Sequence, residues 1–154
     1  MFSILGEKGL SGLVKYFLDL VLIGGIVIFV SLPYSLSWYF DVIYRINNEV
    51  YWFLLGFLYI SGFFCLVTVY EMRKIFKTLN RKDPFMADNV KSLKRIAFAS
   101  FIISACYVVK IFVFNSFLTI ILAMIFIIAG LFTVILAEVF RQAVEFKQEN
   151  DLTI

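Results

Sequence analysis

The 154-residue chain has no histidine, only two cysteines and two prolines, and just 16% charged residues. Without imidazole there is no histidine general base, no serine–histidine or cysteine–histidine nucleophile and no histidine-rich zinc site. Cys65 and Cys106 both fall inside apolar runs, which reads as two small buried hydrophobes rather than a disulfide or a reactive thiolate, because reactivity needs an electropositive, partly wet setting. A phosphate-cradling glycine loop, a GxSxG elbow and a cluster of metal ligands are missing from the sequence. Neither enzymatic activity nor a cofactor is therefore expected. What is abundant is grease: 62% hydrophobic residues, 19 Phe, 8 Tyr and 2 Trp, with a mean hydropathy of +0.95. Soluble domains carry roughly half apolar and a quarter charged residues; disordered chains lack aromatics, and secreted disulfide scaffolds need more cysteine. The composition is that of an integral membrane protein.

Crossing a hydrocarbon core about 30 Å thick takes roughly 20 helical residues. Four apolar stretches meet or approach that length, at 14–32, 51–70, 97–114 and 117–137. Only Asn115 and Ser116 separate the last two. As one helix, 97–137 would be about 60 Å long, so the chain is expected to fold back there as a tight helical hairpin. Lys8 and Lys15 before an apolar core, with Ser35 and Ser37 as a weak small-x-small site, give the first span some likeness to a secretory signal. Its apolar core is longer than a signal's, and it is expected to be retained.

The expected fold class is all-α: a bundle of four transmembrane helices in one integral membrane domain. Twelve of the fourteen lysines and arginines lie in the N-terminal segment, the central segment 71–96 and the tail 138–154. An excess of this kind marks the cytoplasmic side, so both termini are expected inside. Arg45 and Lys110 lie towards the other face. The outer segment 33–50 carries Tyr34, Trp38, Tyr39, Phe40 and Tyr44, followed by Tyr51 and Trp52, aromatics that favour the headgroup region, and a short surface helix is expected there.

Three spans carry amphipathic continuations on the inner side. Met72, Ile75, Phe76 and Leu79 recur at i, i+3, i+4 and i+7; Val90, Leu93 and Ala97 repeat the pattern before the third span; Leu136, Phe140, Ala143 and Val144 do so after the fourth. The second helix should run to about Leu79 and the fourth to about Lys147, while the third starts at either Asp83-Pro84 or Asp88. In water, buried apolar area is worth about 25 cal/mol per Å², so the extensions are expected to pack together as a small cytosolic layer. Lys91, Lys94 and Arg95 are its candidate partner surface, with anionic headgroups as the simpler use of the same charges.

Within the spans, Asp19 is the one acidic residue well inside the bilayer, where an unpaired ionisable group is costly. Its depth matches that of Thr68, Ser100 and Thr133, which suggests a hydrogen-bonded cluster; the plainer alternative is a pair with Lys15 one turn earlier. Lys110 is expected near the outer surface, snorkelling or pairing with Asp41 or Glu49. Gly24, Gly25, Gly56, Gly62 and Gly130 permit close helix contact.

Leu79-Asn80, then Asp83-Pro84-Phe85, Asn89, Leu93 and Ile96, together with a tail from Glu138, Phe140 and Arg141 to Asp151, Leu152, Thr153 and Ile154, resemble the two signatures of the YoaS-like bacterial membrane proteins, domain of unknown function 2975. With the four spans the resemblance covers about 14–154. Ala143 stands where that family has a small residue or glycine, and Met86 where a capping hydroxyl is common. The resemblance implies a bacterial plasma-membrane protein of unassigned activity, and its family context implies a small helix-turn-helix regulator as partner. Both signatures lie in the expected cytosolic layer, so Asp83-Pro84-Phe85 is expected to meet the tail, with Phe85 against Ile154 and with Asp151 or Thr153 satisfying backbone donors.

The leading expectation is thus a non-enzymatic regulatory or sensor component embedded in the lipid bilayer, docking a cytosolic protein without binding nucleic acid directly. Two others stand beside it: an immunity or envelope-stress protein that meets membrane-active peptides through Trp38 and Tyr44, and a small transporter or channel built by homo-oligomerisation.

Overall fold

A computed structural model describes residues 4–42 and 48–152. Four α-helices account for nearly all of them: α1 (Leu10–Val42), α2 (Asn48–Asn80), α3 (Ala87–Val113) and α4 (Phe117–Leu152). Each is long and apolar enough to cross a membrane, making this a multi-pass membrane protein with four candidate spans.

The helices follow one another in a row. α1 packs on α2, α2 on α3 and α3 on α4, while no Cα of α1 comes within 8 Å of α3 or α4, and none of α2 within 8 Å of α4. The expected bundle is therefore open among the described residues. Short connections favour neighbours in sequence, and in lipid no hydrophobic force drives the outer helices together to close a ring. α3 is the most enclosed helix and α1 the least.

Small residues set the closest contacts. On α3, Ala97, Ala99, Ser100 and Ser104 are buried, and Ser104 donates a hydrogen bond across to the Ala123 carbonyl on α4 at 3.2 Å. A Cβ at Gly130 would stand 2.8 Å from the Phe101 ring, and one at Gly25 would stand 2.8 Å from Leu66. A Cβ at Gly62 would stand 3.3 Å from the Phe29 ring, but one at Gly24 or Gly56 would meet nothing within 4 Å. The hairpin at Asn115-Ser116 forms as expected: Ser116 precedes α4 and its hydroxyl lies 2.7 Å from that of Thr119.

The segment 33–50 departs from expectation. α1 runs through Pro33 without interruption to Val42, so Tyr34, Trp38 and Tyr39 project from the continuing first helix, all exposed, rather than from a separate surface helix. The Pro33 carbonyl accepts a hydrogen bond from Ser37 Oγ at 2.8 Å, the back-bonding common to hydroxyls on helices. Tyr51 at the start of α2 stacks edge-on against Phe40 and lies 3.1 Å from Ser37 Oγ. Tyr44 and Arg45 lie outside the described residues.

Candidate functional site

The basic residues gather at one end of the row, where α1 begins, α2 gives way to α3, and α4 ends. There the three amphipathic continuations share a single apolar seam. Ile75 of α2, Leu93 and Ile96 of α3, and Ala137 of α4 are buried together, with Met72, Leu79, Leu136 and Phe140 packed around them. The expected layer is present, and the sequence periodicities named most of its members.

The link between α2 and α3 is held by main-chain and side-chain bonds. Lys82 takes a left-handed φ of 60°, its N–H donates to the Leu79 carbonyl at 3.0 Å, and the Asp83 N–H donates to the Thr78 carbonyl at 3.1 Å. This is the paired bonding of a Schellman helix end, followed by Pro84, which cannot continue a helix. Asn89, 2% exposed, reaches back from α3 to donate to Thr78 Oγ1 at 2.7 Å and to the Pro84 carbonyl at 2.6 Å. Thr78 in turn donates to the Ile75 carbonyl. α3 starts at Ala87 after Met86, which makes no side-chain capping bond. Neither Asp83 nor Asp88 is the cap; Asp88 sits in the first turn, where a carboxylate still opposes the helix dipole.

The two signature segments do meet, about one to four turns earlier in α4 than expected. Phe85 packs edge-on against Phe140 with ring centroids 5.5 Å apart, and Lys147 pairs with Asp83 at 2.7 Å. Phe140 was the nearer apolar partner because α4 runs straight past the link to Leu152. Thr153 and Ile154 lie outside the described residues, and Asp151 is exposed. Arg141 is clasped by Glu138 and Glu145, both at 2.6 Å. Hydrogen bonding from Arg141, then from Gln142, holds the Glu138 carboxyl down at about 2, and the same Glu138 bond raises the Arg141 guanidinium further. The Asp83 carboxylate raises Lys147.

At the start of α1, Ser11 Oγ bonds Asn80 Oδ1 at 2.7 Å, tying the chain's first helix to the end of α2. Further along, Asp19 forms its ion pair with Arg73, not with Lys15. The expected polar cluster does not form: Thr68, Ser100 and Thr133 each donate to the carbonyl four residues earlier in their own helix. Intrahelical bonding satisfies a hydroxyl without any partner helix. Lys110 likewise turns from Asp41 and Glu49 to the hairpin, donating to Thr119 Oγ1 at 3.1 Å with its ammonium 5.5 Å from the centre of the Phe57 ring.

Glu71 escaped the reading of the sequence. Its side chain is 5% exposed, and one oxygen, Oε1, serves both Arg95 at 3.2 Å and Lys74 at 3.6 Å. The sequence signal was a lone acid immediately after the second span, at the head of a basic stretch. Lys91, Lys94 and Arg95 are exposed, with Arg95 facing α2 and Lys94 contributing to the field at Glu138 on α4.

No curated protein and no solved structure matches the chain. The sequence profile of one family, Protein of unknown function (DUF2975), matches residues 35–154, beginning just past Pro33 rather than in the first span and taking in both signature segments. With most of its length so matched, the chain belongs to the DUF2975 family.

Proposed function

We propose that the protein is a non-enzymatic component of the bacterial plasma membrane, with both termini in the cytoplasm, which docks a soluble cytosolic partner at its basic end as part of a regulatory or sensing system. The observation behind this reading is the division of α3 into two faces just outside its span. Asn89, Val90, Ser92, Leu93, Ile96 and Ala97 are buried, whereas Lys91, Lys94 and Arg95 are exposed. A buried seam below fixes the backbone that presents the cations above, and fixed cations steer and orient an acidic surface. The family context supports a small helix-turn-helix regulator as that partner, contacted through protein rather than nucleic acid.

Affinity capture with full-length, detergent-solubilised protein tests the proposal. The wild-type chain is expected to retain the regulator, and reversing Lys91 and Lys94 to glutamate is expected to release it. Arg95 is left in place in this variant because Glu71 depends on it. Retention by the reversed chain, in membranes where it is correctly inserted, would refute the surface assignment.

A further inference from the structure

We propose that the cleft between α2 and α3 at the basic end is a binding site for a phosphodiester group. The cleft has a volume of about 420 Å³ and is lined by Lys74 and Thr78 from α2 and by Asp88, Lys91, Ser92 and Arg95 from α3. Residues three or four apart share a helix face, so one stripe of each helix supplies these groups.

Three features fit the site to a single negative charge. Glu71 draws Lys74 and Arg95 towards each other from two helices through one shared oxygen, which positions both cations before any ligand arrives. Lys91 makes no ion pair among the described residues. Three cations therefore face two carboxylates, those of Glu71 and Asp88, and the remaining positive charge matches the one negative charge of a phosphodiester.

Donors are also left over. Arg95 has five N–H groups and Lys91 three, of which Glu71 occupies one on Arg95 by hydrogen bonding. Ser92, 3% exposed, also lines the cleft. Its hydroxyl is a further donor for an anionic oxygen in the cleft.

The depth suits a lipid. Lys74 lies one turn beyond Tyr70, where the second apolar stretch ends, and Arg95 lies two residues before Ala97, where the third begins. A phospholipid headgroup and a soluble phosphodiester share the required chemistry, and two arms of one experiment separate them.

In the first arm, full-length protein is released from mixed phosphatidylcholine and phosphatidylglycerol membranes, and the phosphatidylglycerol retained is counted by native mass spectrometry. Lys74→Gln and Lys91→Gln should each lower retention about tenfold, the effect of losing one charge-assisted hydrogen bond to the phosphate. Asp88→Asn should raise it, and Ser92→Val should lower it. Lys94→Gln lies outside the cleft and should change nothing, which also separates this site from partner docking.

In the second arm, soluble glycerophosphoglycerol is added in detergent and the thermal transition is followed. A rise in wild type that Lys74→Gln abolishes would identify a soluble source, and phosphatidylglycerol retention without such a rise would identify the lipid. The proposal is overturned if Lys74→Gln and Lys91→Gln retain phosphatidylglycerol as wild type does and glycerophosphoglycerol shifts nothing. It is equally overturned if Lys94→Gln loses as much lipid as Lys74→Gln, because general surface charge then accounts for binding.

Discussion

Asn89→Asp exchanges one NH2 group for an oxygen and leaves the shape of the side chain untouched. In the wild-type chain that NH2 donates both its hydrogens, to Thr78 Oγ1 at 2.7 Å and to the Pro84 carbonyl at 2.6 Å, so the link between α2 and α3 depends on it from both sides. The aspartate would oppose both acceptors with a charge in a site that is 2% exposed. Two lost bonds and their orphaned acceptors amount to about 3 kcal/mol, and the buried charge adds to that. Asn89→Ala loses the bonds without adding charge and should cost about 2 kcal/mol or more. The assay is unfolding of the purified protein in mixed micelles by SDS titration, followed by far-ultraviolet circular dichroism, with amide exchange across 78–90 as a local readout. At pH 7 the order of stability should be wild type, then Asn89→Ala, then Asn89→Asp. A buried aspartate has a folded-state pKa above its ordinary value of about 4. Its neutral form is therefore favoured by folding, and the deficit should shrink as the pH falls and grow as it rises. An aspartate variant as stable as wild type at pH 7, or more stable than the alanine variant, would refute the bonding scheme.

Four further outcomes follow from the same structure. Lys82→Gly should stabilise the protein by about 1 kcal/mol in the SDS assay, since Lys82 carries its Cβ through the left-handed region at φ 60°. Gly12→Ala should loosen the N-terminal turn, because its Cβ would stand 2.1 Å from the Glu7 carbonyl oxygen; faster tryptic cleavage after Lys8 would report this. Reversing Asp19 to arginine or Arg73 to aspartate should weaken α1 against α2, and the double swap should recover part of the loss, a coupling of about 1 kcal/mol in a double-mutant cycle. Glu138 is held down at about 2 against an ordinary 4.5, so its contribution to the end of α4 is complete above pH 4.5 and fades as the pH falls towards 2. Amide protection factors around 138–145, taken relative to the intrinsic exchange rate at each pH, should fall over that range in wild type and less so in Glu138→Gln.

The apolar runs made the four helices legible, because lipid demands some twenty uninterrupted apolar residues and little else in a sequence has that form. The seam was legible for a second reason: Ile75, Leu93 and Phe140 recur at helical spacing among charges, where water enforces a two-faced pattern. Pairings between helices were harder to read. Asp19 lies nearly as many residues before the first connection as Arg73 lies after it, which in an antiparallel pair sets them level, yet Lys15 is nearer in sequence and drew the assignment. Thr68, Ser100 and Thr133 matched in depth but not in direction, since a hydroxyl on a helix reaches its own backbone first. The aromatics of 33–50 suggested a separate surface helix, whereas Tyr34, Trp38 and Tyr39 lie on the continuing first helix, which runs through Pro33 to Val42. Glu71 required knowing that Arg95, on another helix, would face it. The open row itself reflects an absence of contacts between distant helices, which no local pattern encodes.

Disulfide trapping between α3's leading segment and α4 tests the central claim, that these continuations pack together beyond the spans. Cys65 and Cys106 are replaced by alanine, cysteines are placed at Phe85 and Phe140, whose rings are 5.5 Å apart, and native membranes are treated with a mild oxidant. The packed seam predicts rapid, nearly complete cross-linking within one chain, and none for a pair at Phe85 and Leu152. Failure of the Phe85–Phe140 pair to cross-link in correctly inserted protein would mean that the helix ends stand apart, contradicting the account.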